Sequence, residues 1–286
     1  MSLRRVLIVL GIGAAMVSGT ALAANAISGG RSDGSGHPNV GILAFYDANG
    51  ARSRCTGTLV SPTVLVTAAH CTDGIVGQTA VKFDSLIADT PAQALAPAQD
   101  PSAGYTSAEL TAQGWLSGQA STDPAYSHLT DKNNWNDVGV VVLDQPVTAV
   151  TPATIAPVGY LDQFTPNVLN STLFTAVGYG VEMGQAPSGP QKPLPLSYPI
   201  ERRVADEPGQ KLTNQLLQVN GNPNDPRGTG GTCFGDSGGP AFSGGYEVSV
   251  TSYTTAPDCQ SIAGFQRLDL PGVQDWLATF GVTAGS

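Results

Sequence analysis

The sequence predicts an all-β fold that closes on a C-terminal helix. Gly and Pro number 35 and 21, while charged residues make up only 12% of the 286. That balance suits many short strands joined by turns. Short apolar runs bounded by turn residues recur from Ile27 onward, and only the last stretch shows a helical period. The length allows one large β domain or two small ones.

The N-terminus reads as a secretory leader. Arg4 and Arg5 form a basic start, and Val6 to Val17 is apolar but too short to span a bilayer. Two Ala-x-Ala sites follow, Ala21-Leu22-Ala23 and Ala24-Asn25-Ala26. A membrane anchor is the weaker alternative on length and flanks. The expected product is a secreted, extracellular chain, not anchored to a membrane after the leader (1–26) is removed. The formal net charge of −9 for the full chain argues against a nucleic-acid groove, which needs a basic surface.

Val40 to Tyr46 reads as a strand. Thr58 to Val60 and Val64 to Thr67 flank a turn at Ser61-Pro62. Residues 84–123, rich in Ala, Gln, Ser, Thr and Pro, read as long surface loops with short strands between them. Val138 to Leu143 is a continuous apolar run, as in a strand buried on both faces. Leu173 to Val177 and Val248 to Tyr253 give two more strands. Between them, 184–199 carries Pro187, Pro190, Pro193, Pro195 and Pro199, which reads as an exposed loop rather than a polyproline ligand. Val273, Trp276, Leu277 and Phe280 fall at helical spacing, with Pro271 near the start and Gly281 past the end. The apolar face of that helix should pack on a barrel wall. No internal repeat is visible.

Four cysteines, Cys55, Cys71, Cys233 and Cys259, fit an oxidising compartment. Three pairings are open. The local pairs Cys55–Cys71 and Cys233–Cys259 are preferred, each worth about 3 kcal/mol by loop closure. A zinc site is the alternative, without Cys-x-x-Cys or His-x-x-x-His spacing to support it.

The chemistry concentrates at Gly235-Asp236-Ser237-Gly238-Gly239-Pro240. Its Gly-x-Ser-x-Gly also occurs in α/β-hydrolases, where the histidine follows the serine. Here His37, His70 and His128 all precede Ser237, so an esterase reading fails on chain order. A triad must run His, Asp, Ser. His70, in Thr67-Ala68-Ala69-His70-Cys71, ends an apolar strand beside a cysteine that the preferred pairing would bridge, and is the candidate base. Asp137 leads straight into the apolar run 138–143, where an unpaired acid is costly; it is the candidate that orients the histidine. Asp131 and Asp144 are the bland strand-entry acids nearby. The backbone N–H groups of Gly235 and Ser237 are the candidate oxyanion donors, with Gly235 supplying the backbone freedom.

These motifs resemble the chymotrypsin/trypsin family of serine endopeptidases, in a secreted bacterial form. The resemblance rests on Cys55-Thr56-Gly57-Thr58-Leu59, Thr67 to Cys71, Asn136-Asp137-Val138-Gly139 and Cys233 to Pro240, more loosely on Phe265 to Leu268 and the terminal helix. It spans about residues 27–282. It implies two antiparallel six-stranded β-barrels with the site between them, an N-terminal barrel (27–150) carrying His70 and Asp137 and a C-terminal barrel (151–286) carrying Ser237. It implies peptide-bond hydrolysis of a protein or peptide substrate through an acyl-enzyme, with protein inhibitors as a further partner class and a monomeric state. Ile27-Ser28-Gly29-Gly30 resembles the family's mature N-terminus, which implies an ammonium at Ile27 paired with Asp236. The residue immediately before Ile27 is Ala26 rather than Lys or Arg, so signal cleavage after Ala26 would release it.

The resemblance also places the specificity pocket at Gly231, Thr232, Phe234, Ser252, Tyr253 and Thr254. Gly231 falls where trypsin-like members carry an aspartate, so an apolar preference is expected over Arg or Lys. Asp225 or Asp258 would reach the pocket only if insertions shift the alignment. No cofactor is expected and no metal: His37 and His128 read as loop residues, and Asp84 and Asp89 lack calcium-ligand spacing. A catalytically silent protease-like binding module is the alternative function.

Overall fold

The computed structural model describes residues 27–184 and 194–285. The leader, the Ala-x-Ala sites and Pro187, Pro190 and Pro193 lie outside the described residues.

Two closed six-stranded antiparallel barrels make up the fold. The first is built from β1 (Val40–Asp47), β2 (Arg52–Ser61), β3 (Val64–Thr67), β4 (Ile75–Lys82), β5 (Leu116–Thr122) and β6 (Gly139–Leu143). Its strands follow each other round the ring as 1-2-3-6-5-4. The second comprises β7 (Leu173–Gly178), β8 (Arg203–Leu212), β9 (Leu216–Asn220), β10 (Pro240–Ser243), β11 (Tyr246–Thr254) and β12 (Ile262–Arg267). Its ring runs 7-8-9-12-11-10, the same order again, closed by β7 on β8. The topology therefore repeats where the sequence shows no repeat, because a barrel constrains where apolar residues point and not which ones they are.

Alternation fills each barrel. Leu43, Phe45, Leu59, Leu65, Val81 and Val141 pack inside the first. Phe174, Ala176, Leu217, Val219, Val248 and Phe265 pack inside the second. Both expected disulfides form, Cys55–Cys71 and Cys233–Cys259. Among the described residues, three α-helices accompany the strands: α1 (Ser107–Ala112), α2 (Pro166–Ser171) and α3 (Pro271–Ala278). Helix α3 is the predicted one. It follows the second barrel but buries Val273 and Leu277 against Val64, Val66 and Val140 of the first, so it straps the two barrels together. No helix among the described residues is long and apolar enough to cross a membrane.

Residues 84–123 depart from the loop reading. They hold α1 and the barrel strand β5. Thr106 caps α1 by accepting from the Glu109 N–H while the Glu109 carboxylate reaches back, the reciprocal box that starts many helices.

Polar contacts tie the barrels where apolar ones do not. Arg202 is 2% exposed. It donates to Asp33 Oδ2 at 2.8 Å and to the carbonyls of Gly34 and Phe83 at 2.7 and 2.8 Å. His37 sits on the other Asp33 oxygen at 2.6 Å, and so serves the N-terminal segment as a structural residue.

Glu247 at the start of β11 is fully buried, and neither carboxylate oxygen has a hydrogen-bond partner among the described residues. Burial pushes its carboxyl up to about 8, the nearby Thr58 hydroxyl offsetting this in part although it does not reach hydrogen-bond geometry. A raised acid binds its proton in the folded chain after the unfolded chain has lost it. Its contribution is therefore lost as pH rises from about 4.5 through about 8. Glu247→Gln is expected to flatten that fall. In urea titrations the variant should gain about 2 kcal/mol or more on the wild type between pH 5 and pH 9; parallel pH profiles would refute the assignment.

Candidate active site

His70 lies on a single 3-10 turn, Ala69–Cys71, at the end of β3. The neighbouring disulfide ties that turn to β2. Asp137 stands just before β6, after Asn136, whose φ of +43° turns the chain inward; asparagine tolerates that region better than most residues. The result is a fully buried carboxylate aimed at the histidine. Asp137 Oδ2 is 2.9 Å from His70 Nδ1, and Oδ1 accepts the His70 backbone N–H at 2.9 Å.

The second barrel completes the Asp137 shell. Ser252 Oγ donates to Oδ2 at 2.5 Å, and the Trp135 indole N–H donates to Ser252 Oγ at 2.8 Å. The Gln266 amide oxygen accepts the Asp137 N–H at 3.1 Å. Ser252 was expected as pocket wall alone; it also stands between Trp135 and Asp137. Neither Trp135 nor Gln266 has a sequence signal that would mark this role: Trp135 acts through Ser252, 117 residues further along the chain, and Gln266 is brought in from β12.

Ser237 lies in the turn between Cys233 and β10. The Gly235 backbone has φ +98° and Gly238 has φ +76°. Gly235 O accepts from Thr56 Oγ1 at 2.9 Å and Ser237 O accepts from Thr56 N at 2.8 Å, so β2 clamps the turn from the first barrel. The N–H groups of Gly235 and Ser237 have no acceptor among the described residues and remain free to donate. Ser237 and His70 line one cleft with Gly235, Cys55 and Phe234. No hydrogen bond joins the Ser237 hydroxyl to the histidine ring among the described contacts; such contacts tighten when substrate binds.

Asp236 is fully buried. Its oxygens accept from Gly180 N at 2.7 Å and Cys233 N at 2.8 Å. Burial outweighs these bonds and pushes the carboxyl up to about 6, with Arg54 and Arg203 acting against it. Ile27 is buried too, and Ser28 pairs with Gly231 through bonds of 3.0 and 2.9 Å. Arg203 donates to Gly30 O at 2.8 Å. The segment 27–30 is thereby docked on the second barrel.

Beside Ser237 lies a cavity of about 240 Å³ walled by Thr232, Cys233, Phe234 and Thr251 to Thr254. Of the expected pocket residues, Gly231 does not line it; it packs on Gly221 and bonds Ser28. Asp225 pairs with Arg227 and Asn220 instead, and Asp258 is not on the wall. A second buried acid behind this wall, besides Asp236, is Glu207 on β8, which sequence reasoning missed. It is fully buried and accepts Thr232 N at 2.9 Å. Burial, aided by Asp236, pushes it up to about 8, so it is protonated and uncharged at neutral pH.

Among the described residues, one group has metal-ligand geometry: Cys55, His70 and Cys71. Both sulfurs are in the disulfide and are not thiolate ligands.

The family model for trypsin matches residues 31–277. The chain belongs to the trypsin family. Brachyurin from Leptuca pugilator is 27% identical over 215 residues, covering 72% of this chain and 78% of brachyurin. Among solved structures, HL collagenase superposes with a TM-score of 0.62 at 16% identity, over 89% of this chain and 98% of that one. A mutant of human heparin binding protein (CAP37) gives 0.59 at 19%, over 91% and 98%. These two support the fold; the family membership supports a peptidase acting on a peptide or protein substrate.

Gly238 is the tightest point of the trypsin-family turn. A Cβ there would run into Thr67 Oγ1 and lie 2.6 Å from Ala68 N and Thr56 O, on a backbone L side chains avoid. Gly238→Ala is expected to cost more than about 3 kcal/mol in chemical unfolding. A loss under about 1 kcal/mol would contradict this packing.

Proposed function

We propose that the chain is a secreted serine endopeptidase in which Ser237 is the nucleophile, His70 the base and Asp137 the orienting acid. The observation that carries the reading is the buried Asp137 carboxylate on His70 Nδ1. A serine hydroxyl is a weak nucleophile and needs a positioned base. With Nδ1–H donated to Asp137, His70 Nε2 is left as the acceptor facing the cleft. It takes the Ser237 proton as Oγ attacks the scissile carbonyl. The carbonyl oxygen becomes an oxyanion held by the Gly235 and Ser237 N–H groups. The imidazolium, stabilised by Asp137, then gives the proton to the leaving amine, and the C–N bond breaks to an acyl-enzyme. Water, deprotonated by the same histidine, releases the acid and restores Ser237.

The cavity at Thr232 to Thr254 takes the acyl-side residue. No carboxylate lines it, and Glu207 behind Thr232 is uncharged at neutral pH. A small or medium apolar residue therefore fits better than Arg or Lys.

The leader 1–26 directs secretion, and cleavage after Ala26 frees the Ile27 ammonium. Asp236, buried with two N–H donors and no cation in hydrogen-bond contact, is the group such an ammonium would pair with. The docking of 27–30 beside Gly231 supports that placement.

Two experiments test this reading. A peptide library digested by the secreted protein should be cut after small or medium apolar residues, and His70→Ala should abolish cutting. Cleavage confined to Arg or Lys would overturn the specificity, and full activity in His70→Ala would overturn the mechanism. N-terminal sequencing of the active protein should give Ile27; a fully active chain beginning at Ala24 would refute the activation pair.

A further inference from the structure

Arg54 on β2 stands where two cavities meet. One is the cleft of His70 and Ser237, which continues past the acyl-side pocket to Ser53, Arg54 and Val181. The other is a separate cavity of about 240 Å³ that shares Ser53, Arg54 and Val181 and has an apolar floor of Ile42, Leu95 and Trp115. The acyl-side pocket and the cleft have Ser237 and Phe234 in common. The order is thus acyl-side pocket, Ser237, Arg54, second cavity. A peptide bound with its scissile carbonyl at Ser237 would carry its leaving-group residues toward Arg54.

The guanidinium is poorly satisfied for a charge in this position. Its Nε lies 3.0 Å from where a Cβ on Gly235 would sit, so it abuts the proposed oxyanion loop. Among the described residues Nη1 reaches only the Ser197 carbonyl, at 3.3 Å. Nη2 is buried with no hydrogen-bond partner. Neither Arg54 nor Arg52, which also lines the second cavity, forms a salt bridge among the described residues. This is a chain with 13 Lys and Arg against 22 Asp and Glu. Arg52 donates to Leu95 O at 2.8 Å and to the Tyr105 hydroxyl at 3.2 Å, and Arg54 feels the buried Asp236, but two arginines without a carboxylate in contact at one cavity mouth still run against the chain's overall charge. A planar guanidinium with free donors is matched by the two oxygens of a carboxylate.

We infer that Arg54, backed by Arg52, forms a carboxylate-accepting subsite for the first residues of the leaving group. This rests on the endopeptidase reading above and adds a substrate class to it. The carboxylate is either an Asp or Glu side chain or the α-carboxylate of a chain end; an internal acid leaves the cavity's apolar floor to the residues beside it.

The test uses quenched fluorescent peptides with one fixed acyl side. At each of the first three leaving-group positions, Asp is compared with Asn and Glu with Gln. A second set ends two residues after the scissile bond, as free acid or as amide. At one of these positions the acid should exceed its amide by about tenfold in kcat/KM. That ratio should fall to within about twofold in Arg54→Gln and stay partly raised in Arg54→Lys. Each ratio is taken within one enzyme, so a general loss of activity in the variant cancels. If the preference is confined to the free-acid set, the subsite reads chain ends; if it is confined to internal Asp or Glu, it reads side chains. Equal rates on acid and amide in the wild type, or a ratio unmoved by Arg54→Gln, would overturn the subsite while leaving the peptidase intact. Failure to cut any of the peptides would overturn both.

Discussion

The Asp137 carboxylate is the interaction on which the rest of this structure depends. A bare anion removed from water is costly, and it persists in a protein only when surrounded by donors. Here the donors come from both barrels. His70 offers its backbone N–H and its ring from the first, and Ser252 offers its hydroxyl from the second. The charge is thus satisfied only when the barrels are docked in one register. The seam that stabilises the fold and the geometry that orients the histidine are the same set of bonds.

The serine turn obeys the same logic from the other side. Thr56 on the first barrel holds Gly235 and Ser237 of the second through two bonds, and Gly238 fits between Thr56 and Ala68 only because it lacks a side chain. Asp236 turns inward from this run while its neighbours face the cleft. One short segment therefore presents a hydroxyl and two free N–H groups outward and a carboxylate inward. That division requires the positive φ angles that its glycines supply. Helix α3, strapped across the first barrel, adds an apolar contribution to the same docking.

Much of this was legible in the sequence, and the reasons are physical. Short motifs marked His70, Asp137 and Ser237 because each needs particular neighbours: a bridged cysteine, an apolar strand, flanking glycines. The strand β6 and helix α3 were visible because their apolar residues keep a period. Strand β8 was not, since Arg203-Val204-Ala205-Asp206-Glu207-Pro208-Gly209 mixes charge with two strand breakers, and only its place in a closed ring makes it a strand. Strand β5 was hidden among Ser, Gln and Thr. The Thr106-to-Glu109 box was a usable signal for α1 that the loop-like composition around it masked. Trp135, Gln266, Glu207 and Arg54 carry no local signal at all. Their roles arise from what the fold places beside them, across more than a hundred residues in the case of Trp135 and Ser252.

The central claim is that the buried carboxylate makes His70 a base and Ser237 a nucleophile. The most direct measurement is the intact mass of the purified protein after exposure to a fluorophosphonate, followed by mapping of the adduct. The account predicts one phosphonyl group per chain, on Ser237, at a rate that collapses when Asp137 is replaced by Asn. A folded protein that takes no label, that is labelled elsewhere, or that reacts equally fast without the carboxylate would contradict it.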